Sequence, residues 1–359
     1  MNNQLMVLLI GGYGIVGKQV AVLLNQYYPE INLIIGGRNL TAATQFANSL
    51  SNATAINFDI HSPQLPSNVQ PQIIVTLAND PDNKVLHFAI ENQIAYLDIT
   101  RWTDKLKTAI THTHSSSQLH APIVFSSSWM AGIIDNIIIQ YATKFSHVEN
   151  IDINILYSMQ DKAGINSVEY MDRMLIPFEV IIDGHTQSFM PFSDGKQVTF
   201  KKDKHFWVYR FDTPDQLILP LFIKAKSVST RIGFNNNMIN RFFHFLIRSG
   251  IWHLISGKSF NSFRQKLLYS PGKGDEHNIL IEINGLDSLN NPIKSTLSIT
   301  SPKGQSHLTA IGTFIQIHSI LNMRLTNQVY FGETLPNKDF VIKILKTEGI
   351  NIDFNYGSV

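Results

Sequence analysis

Two periods of apolar residues alternate along the first part of the chain. An unbroken apolar run at 5–10 has the length and Val/Ile content of a strand buried on both faces, and 31–35, 54–60, 72–78, 94–99 and 122–125 read as further, largely apolar strands. Between them apolar positions recur every three or four residues, as at Val20, Leu23, Leu24 and Tyr27, and at Val85, Leu86, Ala89 and Ile90. That spacing predicts helices over 18–28, 41–50, 83–92, 104–118 and 133–145. Strand and helix in alternation predict an α/β domain, a doubly wound parallel sheet of the Rossmann kind.

After Asn150 the pattern changes. Residues 152–157 alternate in polarity and predict a strand, and 197–200, 206–211 and 218–225 read as further strands. A helix is expected from Val168 to about Ile181. Residues 277–284 and 293–300 predict a hairpin around the turn-forming 285–292. Helices are predicted over 305–321 and 339–348. Together these predict a second, α+β domain on a mostly antiparallel sheet. The segment 236–255 is rich in aromatic residues, but Arg241, Arg248, two histidines and Gly250 interrupt it. It predicts an amphipathic helix that covers the second domain or a partner subunit rather than a membrane span. A membrane-surface helix is the other reading.

Composition narrows the field. At 359 residues the chain is long enough for two domains, and a net charge of +2 makes no general case for nucleic acid. The absence of cysteine excludes disulfides and thiol chemistry and fits a cytoplasmic protein. The first apolar run has no basic flank and ends in glycines, so it reads as a core strand and not a signal peptide.

The candidate chemistry begins where the first strand meets the first helix. Gly11, Gly12, Gly14 and Gly17 stand in the sequence GGYGIVG. Strand, G-x-G-x-x-G and helix in succession predict a dinucleotide pyrophosphate site. Gly12 permits the tight turn, Gly14 lets the backbone approach the phosphates, and Gly17 lets helix and strand pack closely. Tyr13, Ile15 and Val16 complete the cradle, and the helix N-terminus offers N–H groups to the anion. The second strand ends in Arg38 and Asn39, where an NAD site usually carries an acid. A guanidinium there suits a 2′-phosphate, so NADP is expected over NAD. Asp59 could hold the adenine amino group or begin the turn that follows. Ala78 and Asn79 follow the fourth strand, where doubly wound sheets meet the nicotinamide ribose. Asp98 is an acid at the end of an apolar strand, which suits a cap or turn and also an active site. His112 and His114 lie two apart, on different faces of a helix, so no metal site is expected. HExxH, G-x-S-x-G and Walker patterns are absent.

The segments GGYGIVG, IIGGRN, QIIVTLAND, AIENQIAYLDIT and VFSSSWMAGIIDN, in that order, resemble the saccharopine dehydrogenase-like family. FDTPDQLILP, residues 229–234 and the start of a helix at 307–310 agree. The family usually has Pro-Gly where this chain has Ala131-Gly132. The resemblance implies a dinucleotide-binding domain of 1–130 plus about 305–359. It also implies a substrate and dimerisation domain of 131–304 that closes over the cofactor, in a homodimer. The implied activity is an NADP-dependent oxidoreductase that reduces an imine or carbonyl of a small, amino-acid-derived substrate. Asp98 matches the family's acid after the fifth strand, and His205 and Tyr209 are further candidate acid groups. Such substrates need cations for their carboxylates, and Arg101, Arg173 and Arg231 are candidates. Ser128 and Trp129 would line the substrate side of a cleft between the domains. The competing expectation is a non-catalytic NADP-binding sensor or assembly protein.

Overall fold

A computed structural model describes residues 5–115, 118–161, 173–201, 204–255, 260 and 274–358. The chain divides into two compact units, Met1–Asn136 with Thr309–Val341, and Ile137–Leu308 with Ile342–Val359.

The first unit is a parallel sheet covered on both faces. Its strands are β1 (Met6–Ile10), β2 (Asn32–Gly37), β3 (Ala53–Asn57), β4 (Ile73–Thr76), β5 (Ala95–Asp98) and β6 (Ile123–Phe125), with a late strand, Val329–Phe331, beside β6. Their order is β3-β2-β1-β4-β5-β6, all parallel. This is the doubly wound order whose switch point lies between β1 and β4. Val7, Leu8, Leu9 and Ile10 are all buried, as continuous apolar runs require when both sheet faces are covered. The crossovers are α1 (Ile15–Tyr27), α2 (Leu40–Ala47), α3 (Lys84–Glu91) and α4 (Thr103–Ser115), and α5 (Ile133–Ala142) follows β6. Their buried residues keep the predicted spacing, Val20, Leu23 and Leu24 on α1 and Val85, Leu86 and Ala89 on α3.

The second unit is built on β7 (His147–Tyr157), β10 (Lys196–Lys201), β11 (Lys204–Arg210), β12 (Ser227–Phe234), β13 (His277–Leu286), β14 (Pro292–Ser301) and the last strand, Asn351–Ser358. Among the described residues only the β7–β12 pairing of this sheet is parallel. The predicted hairpin is β13–β14, in register from His277 opposite Ser301 to Leu286 opposite Pro292. A separate ribbon pairs β8 (Phe178–Ile182) with β9 (His185–Phe189). Among the described residues no helix is long and apolar enough to cross a membrane.

Four expectations are corrected. The helix expected over 168–181 lies partly outside the described residues, and its last part is strand β8. Phe178 and Val180 are buried and Glu179 between them is exposed, a period of two. The strand expected over 218–225 is the helix Asp215–Phe222. Its buried residues, Asp215, Gln216, Ile218 and Leu219, follow the helical period that a short apolar run conceals. The segment 236–255 is two helices, Asn237–Arg248 and Ile251–Ile255, separated at Gly250 with φ +79°. Residues 351–358 were expected in the first domain. They pair with the outer edge of β14, from Thr300 opposite Asn351 to Ile293 opposite Ser358, and so satisfy an edge that would otherwise stay open.

Candidate functional site

The glycine turn sits at the switch point of the parallel sheet. The Gly11 N–H donates to Gly36 O at 2.9 Å, Gly12 N–H to Leu9 O at 3.1 Å and Gly14 N–H to Gly11 O at 2.9 Å. A Cβ at Gly12 would lie 2.9 Å from Leu9 O, and one at Gly17 would run into the backbone of Gly11 and Gly12. These two glycines let strand, turn and helix approach. Gly14 differs, since a Cβ there meets only Gly11 O, at 3.1 Å. The first helical bond of α1 runs from Lys18 N–H to Gly14 O, so the N–H groups of Ile15, Val16 and Gly17 precede it. No side chain caps this end, and its first turn has no acid. An open helix N-terminus with its positive dipole end fits the pyrophosphate of a dinucleotide.

The end of β2 carries no carboxylate. Arg38 is exposed and makes no ion pair or hydrogen bond with a described residue. Asn39 caps α2 through its Oδ1, which accepts from Ala42 N–H at 3.0 Å. Tyr13 reaches across from the glycine turn. Its ring occupies the space a Cβ at Gly37 would need, and its hydroxyl accepts from Asn39 N–H at 3.2 Å. Asp59 accepts from His61 N–H at 2.9 Å, which serves the turn. Ala78 abuts the glycine turn, 3.4 Å from where a Cβ of Gly11 would stand, and Asn79 follows it, half-buried.

Asp98 and Arg101 form a closed cluster beyond β5. The fully buried Asp98 carboxylate accepts from Tyr96 Oη at 2.7 Å and from Thr100 N–H and Oγ1, both at 2.8 Å. Arg101 Nε stands 2.7 Å from its Oδ2. Three hydrogen bonds and one ion pair thus tie the carboxylate to its own segment. The Arg101 guanidinium also donates to Asn83 and to Tyr96 Oη, and lies 3.6 Å from Asp80. Asp80 itself accepts from the N–H groups of Lys84, Val85 and Leu86 and so caps α3. Burial raises the Asp80 carboxyl above its ordinary value against these hydrogen bonds. Burial pulls the Arg101 guanidinium down most strongly, but Asp98, Tyr96 and Asp80 together outweigh it and the net direction is up.

The loop after β6 is tightly wound. Met130, Ala131 and Gly132 have φ of +56°, +52° and +75° in succession. A proline at 131, fixed near φ −65°, could not take this conformation, which gives the departure from the Pro-Gly pattern a backbone reason. The loop is held by hydrogen bonds from Ser126 Oγ to Ala131 O (2.9 Å) and from Gln316 Nε2 to the same oxygen (3.1 Å). Ser128 Oγ donates to Glu333 Oε1 at 2.5 Å, and Asn136 Nδ2 to Glu333 O at 2.8 Å. Ser128 and Trp129 are thus buried, and Ser128 is committed to Glu333. The sequence reading passed over Glu333. It follows a three-residue strand, too short to leave a period, and shares this edge only because that strand pairs with β6.

In the second unit Tyr209 is buried in a stack with His244, ring centroids 4.7 Å apart, and Phe192, 5.6 Å apart. Burial raises its phenol above the ordinary value, with Arg241 opposing. His205 is exposed at the other end of β11 and shares a 2.7 Å hydrogen bond with Thr199 Oγ1. Arg173 pairs with Asp212 at 2.9 Å. Arg231 pairs with Asp152 at 3.0 Å and Asp194 at 2.8 Å. Burial works against ionised Asp152 and Asp194, but hydrogen bonds from Ser229 and from Arg231 and Arg210 hold both carboxyls below their ordinary value. Arg101, Arg173 and Arg231 were expected to clamp substrate carboxylates, and each instead holds a carboxylate of the protein. Among the described residues no group of His, Asp and Glu could hold a metal ion.

No family model matches the chain, and no curated protein matches it. Solved structures align along its length at low identity. A myo-inositol dehydrogenase from Corynebacterium glutamicum is 10% identical over 96% of this chain and 95% of its own, with a TM-score of 0.43. GenD2 from gentamicin A biosynthesis, in complex with NAD, is 9% identical over 100% and 98%, with a TM-score of 0.43. The dehydrogenase MviM from Clostridium difficile is 9% identical over 96% and 98%, with a TM-score of 0.42. Likeness this distant assigns no activity, so the functional reading rests on the chain's own residues.

Proposed function

We propose that the protein is an NAD(P)-dependent oxidoreductase whose cofactor lies across the switch point of the first unit. One observation carries the reading: an open, acid-free helix N-terminus directly after a G-x-G-x-x-G turn, at the β1/β4 switch of a doubly wound sheet. The N–H groups of Ile15, Val16 and Gly17 would face the pyrophosphate, with Gly12, Tyr13 and Gly14 forming the turn beneath it. Ala78 and Asn79 would border the nicotinamide ribose. Arg38, exposed and without a partner among the described residues, would meet a 2′-phosphate, and this supports NADP over NAD. The bound cofactor would supply or take the hydride. The saccharopine-like subtype, and with it an imine or carbonyl of an amino-acid-derived substrate, rests on the segment resemblance alone.

In this reading Asp98 is a positioning residue that fixes Arg101 and the chain after β5, not the proton donor. A second reading is a dinucleotide-binding protein without turnover. It is favoured by the commitment of Asp98, Arg101, Arg173, Arg231 and Ser128 to internal partners. Calorimetric titration with NADPH and NADH tests the first step, and no binding of either refutes both readings. Single-turnover absorbance of NADPH with a panel of amine and 2-oxo acid pairs then separates them. Loss of NADPH absorbance supports the oxidoreductase; binding without turnover across the panel supports the second reading.

A further inference from the structure

We propose that the helix Asn237–Arg248 is an interfacial element that seats the second unit on an anionic bilayer surface. The helix is apolar on two opposite sides. Asn240, Phe243 and Ile247 form its buried side, with Phe243 against Phe192, Phe234 and Trp252. Half a turn away, at positions i, i+4 and i+7, Met238 is 81% exposed, Phe242 50% and Phe245 60%. Leu254 on the next short helix is 72% exposed. The inner stripe already satisfies the fold, so the outer stripe is left as an apolar face on the surface.

The charged side chains of the segment have one sign. Arg241 and Arg248, seven apart, lie on one flank of the outer stripe, and neither makes an ion pair with a described residue. Residues 236–255 contain no Asp or Glu. Asn237 Nδ2 donates to His205 O at 2.9 Å, which sets this end of the helix beside exposed Lys204. Aromatic and aliphatic side chains on one stripe with cations at its border are what an in-plane helix presents to acidic headgroups: the stripe enters the headgroup–acyl boundary and the guanidinium groups stay among the phosphates. A second copy fits less well. A two-fold contact through this stripe would gather four arginines with no carboxylate from the same segment. The inference is independent of the nucleotide reading.

The test is co-sedimentation of the full chain with vesicles of phosphatidylcholine alone and of phosphatidylcholine with phosphatidylglycerol. Binding is expected to the mixed vesicles at low salt, at least about tenfold weaker to phosphatidylcholine alone, and weaker again as salt shortens the reach of the arginines. Phe242→Asp with Phe245→Asp should lower binding to mixed vesicles by at least about tenfold. The same variant should keep its circular dichroism, with at most a small fall in melting midpoint, because Phe245 is 60% exposed and half-exposed Phe242 loses only its ring contact with Phe243. Arg241→Gln with Arg248→Gln should erase the preference for phosphatidylglycerol while leaving the fold intact. No binding of the native chain to mixed vesicles overturns the proposal, as does equal binding by the native chain and the Phe variant. A dimer in sedimentation equilibrium that the Phe variant dissociates, without vesicle binding, gives the face to a second copy and overturns it too.

Discussion

Gly14→Val separates the two jobs that the glycine turn performs. Gly14 has φ −73° and ψ 179°, extended backbone that valine adopts without strain. Its added Cβ would meet only Gly11 O, at 3.1 Å, so the turn must give by a few tenths of an ångström. The stability cost should therefore stay within about 1 kcal/mol, partly offset by the stiffer unfolded chain. Gly14 is the N-cap of α1, and a side chain at an N-cap stands toward the N–H groups of the second and third helical residues, Val16 and Gly17. In the proposed site each donates a charge-assisted hydrogen bond worth about 1.5–3 kcal/mol. Losing both removes roughly 3–6 kcal/mol, or about a hundred- to ten-thousand-fold in affinity. Calorimetric titration with NADPH measures the loss, and a circular dichroism melt checks the fold. Gly17→Ala is the contrast, because its Cβ would run into the backbone of Gly11 and Gly12 and should cost about 1–3 kcal/mol of stability as well as binding. A Gly14→Val protein with the native melt and the native NADPH affinity would refute the placement of the pyrophosphate.

Arg38→Ala removes an exposed group without a partner among the described residues, so it should leave the melt unchanged, weaken NADPH by roughly ten- to a hundred-fold and spare NADH; equal loss for both cofactors would show a structural role. Arg101→Met leaves the buried Asp98 and Asp80 carboxylates without their cation and should cost about 3–5 kcal/mol in urea unfolding; a loss under about 1 kcal/mol would show that the cluster is not held by this charge. His277 is buried and its imidazole is pushed down to about 3 by burial, so below the ordinary histidine value the unfolded chain takes up a proton that the folded one refuses. Stability from this group is therefore complete above about pH 6.5 and falls as pH drops toward 3, by up to about 1.4 kcal/mol per pH unit. His277→Gln should flatten that slope in melts taken across the range, and an unchanged slope would show that His277 is not its source.

The site was legible where one short stretch of chain does the whole task. Gly12, Gly14 and Gly17 act within a single turn, and the residue types there follow from backbone geometry alone, so their spacing could be read from the sequence. The place of Arg38, exposed at the end of β2, was legible for a similar reason, since it follows its strand directly. Asp98 was not. Its type and position suit an active-site acid as well as they suit an anchor, and its partners Tyr96, Thr100 and Arg101, all within three residues, leave no pattern that tells the two apart. Arg173 and Arg231 differ, because the carboxylates that hold them, Asp212 and Asp152, lie far away in sequence.

The sequence by itself determined the alternation of strand and helix in the first unit, since strands buried on both faces and helices buried on one leave different periods in the apolar residues. It also determined the hairpin β13–β14, whose partners are neighbours in the chain. Only the tertiary structure decided the rest. The run 215–222 is a helix and 178–182 a strand because each meets a buried surface that its own few residues cannot encode. The strand Val329–Phe331 brings Glu333 to Ser128, and Asn351–Ser358 closes the edge of β14, through backbone hydrogen bonds that any side chains would permit. Pairing of this kind is chosen by which edge remains open once the other strands are in place, and that information belongs to the assembled sheet.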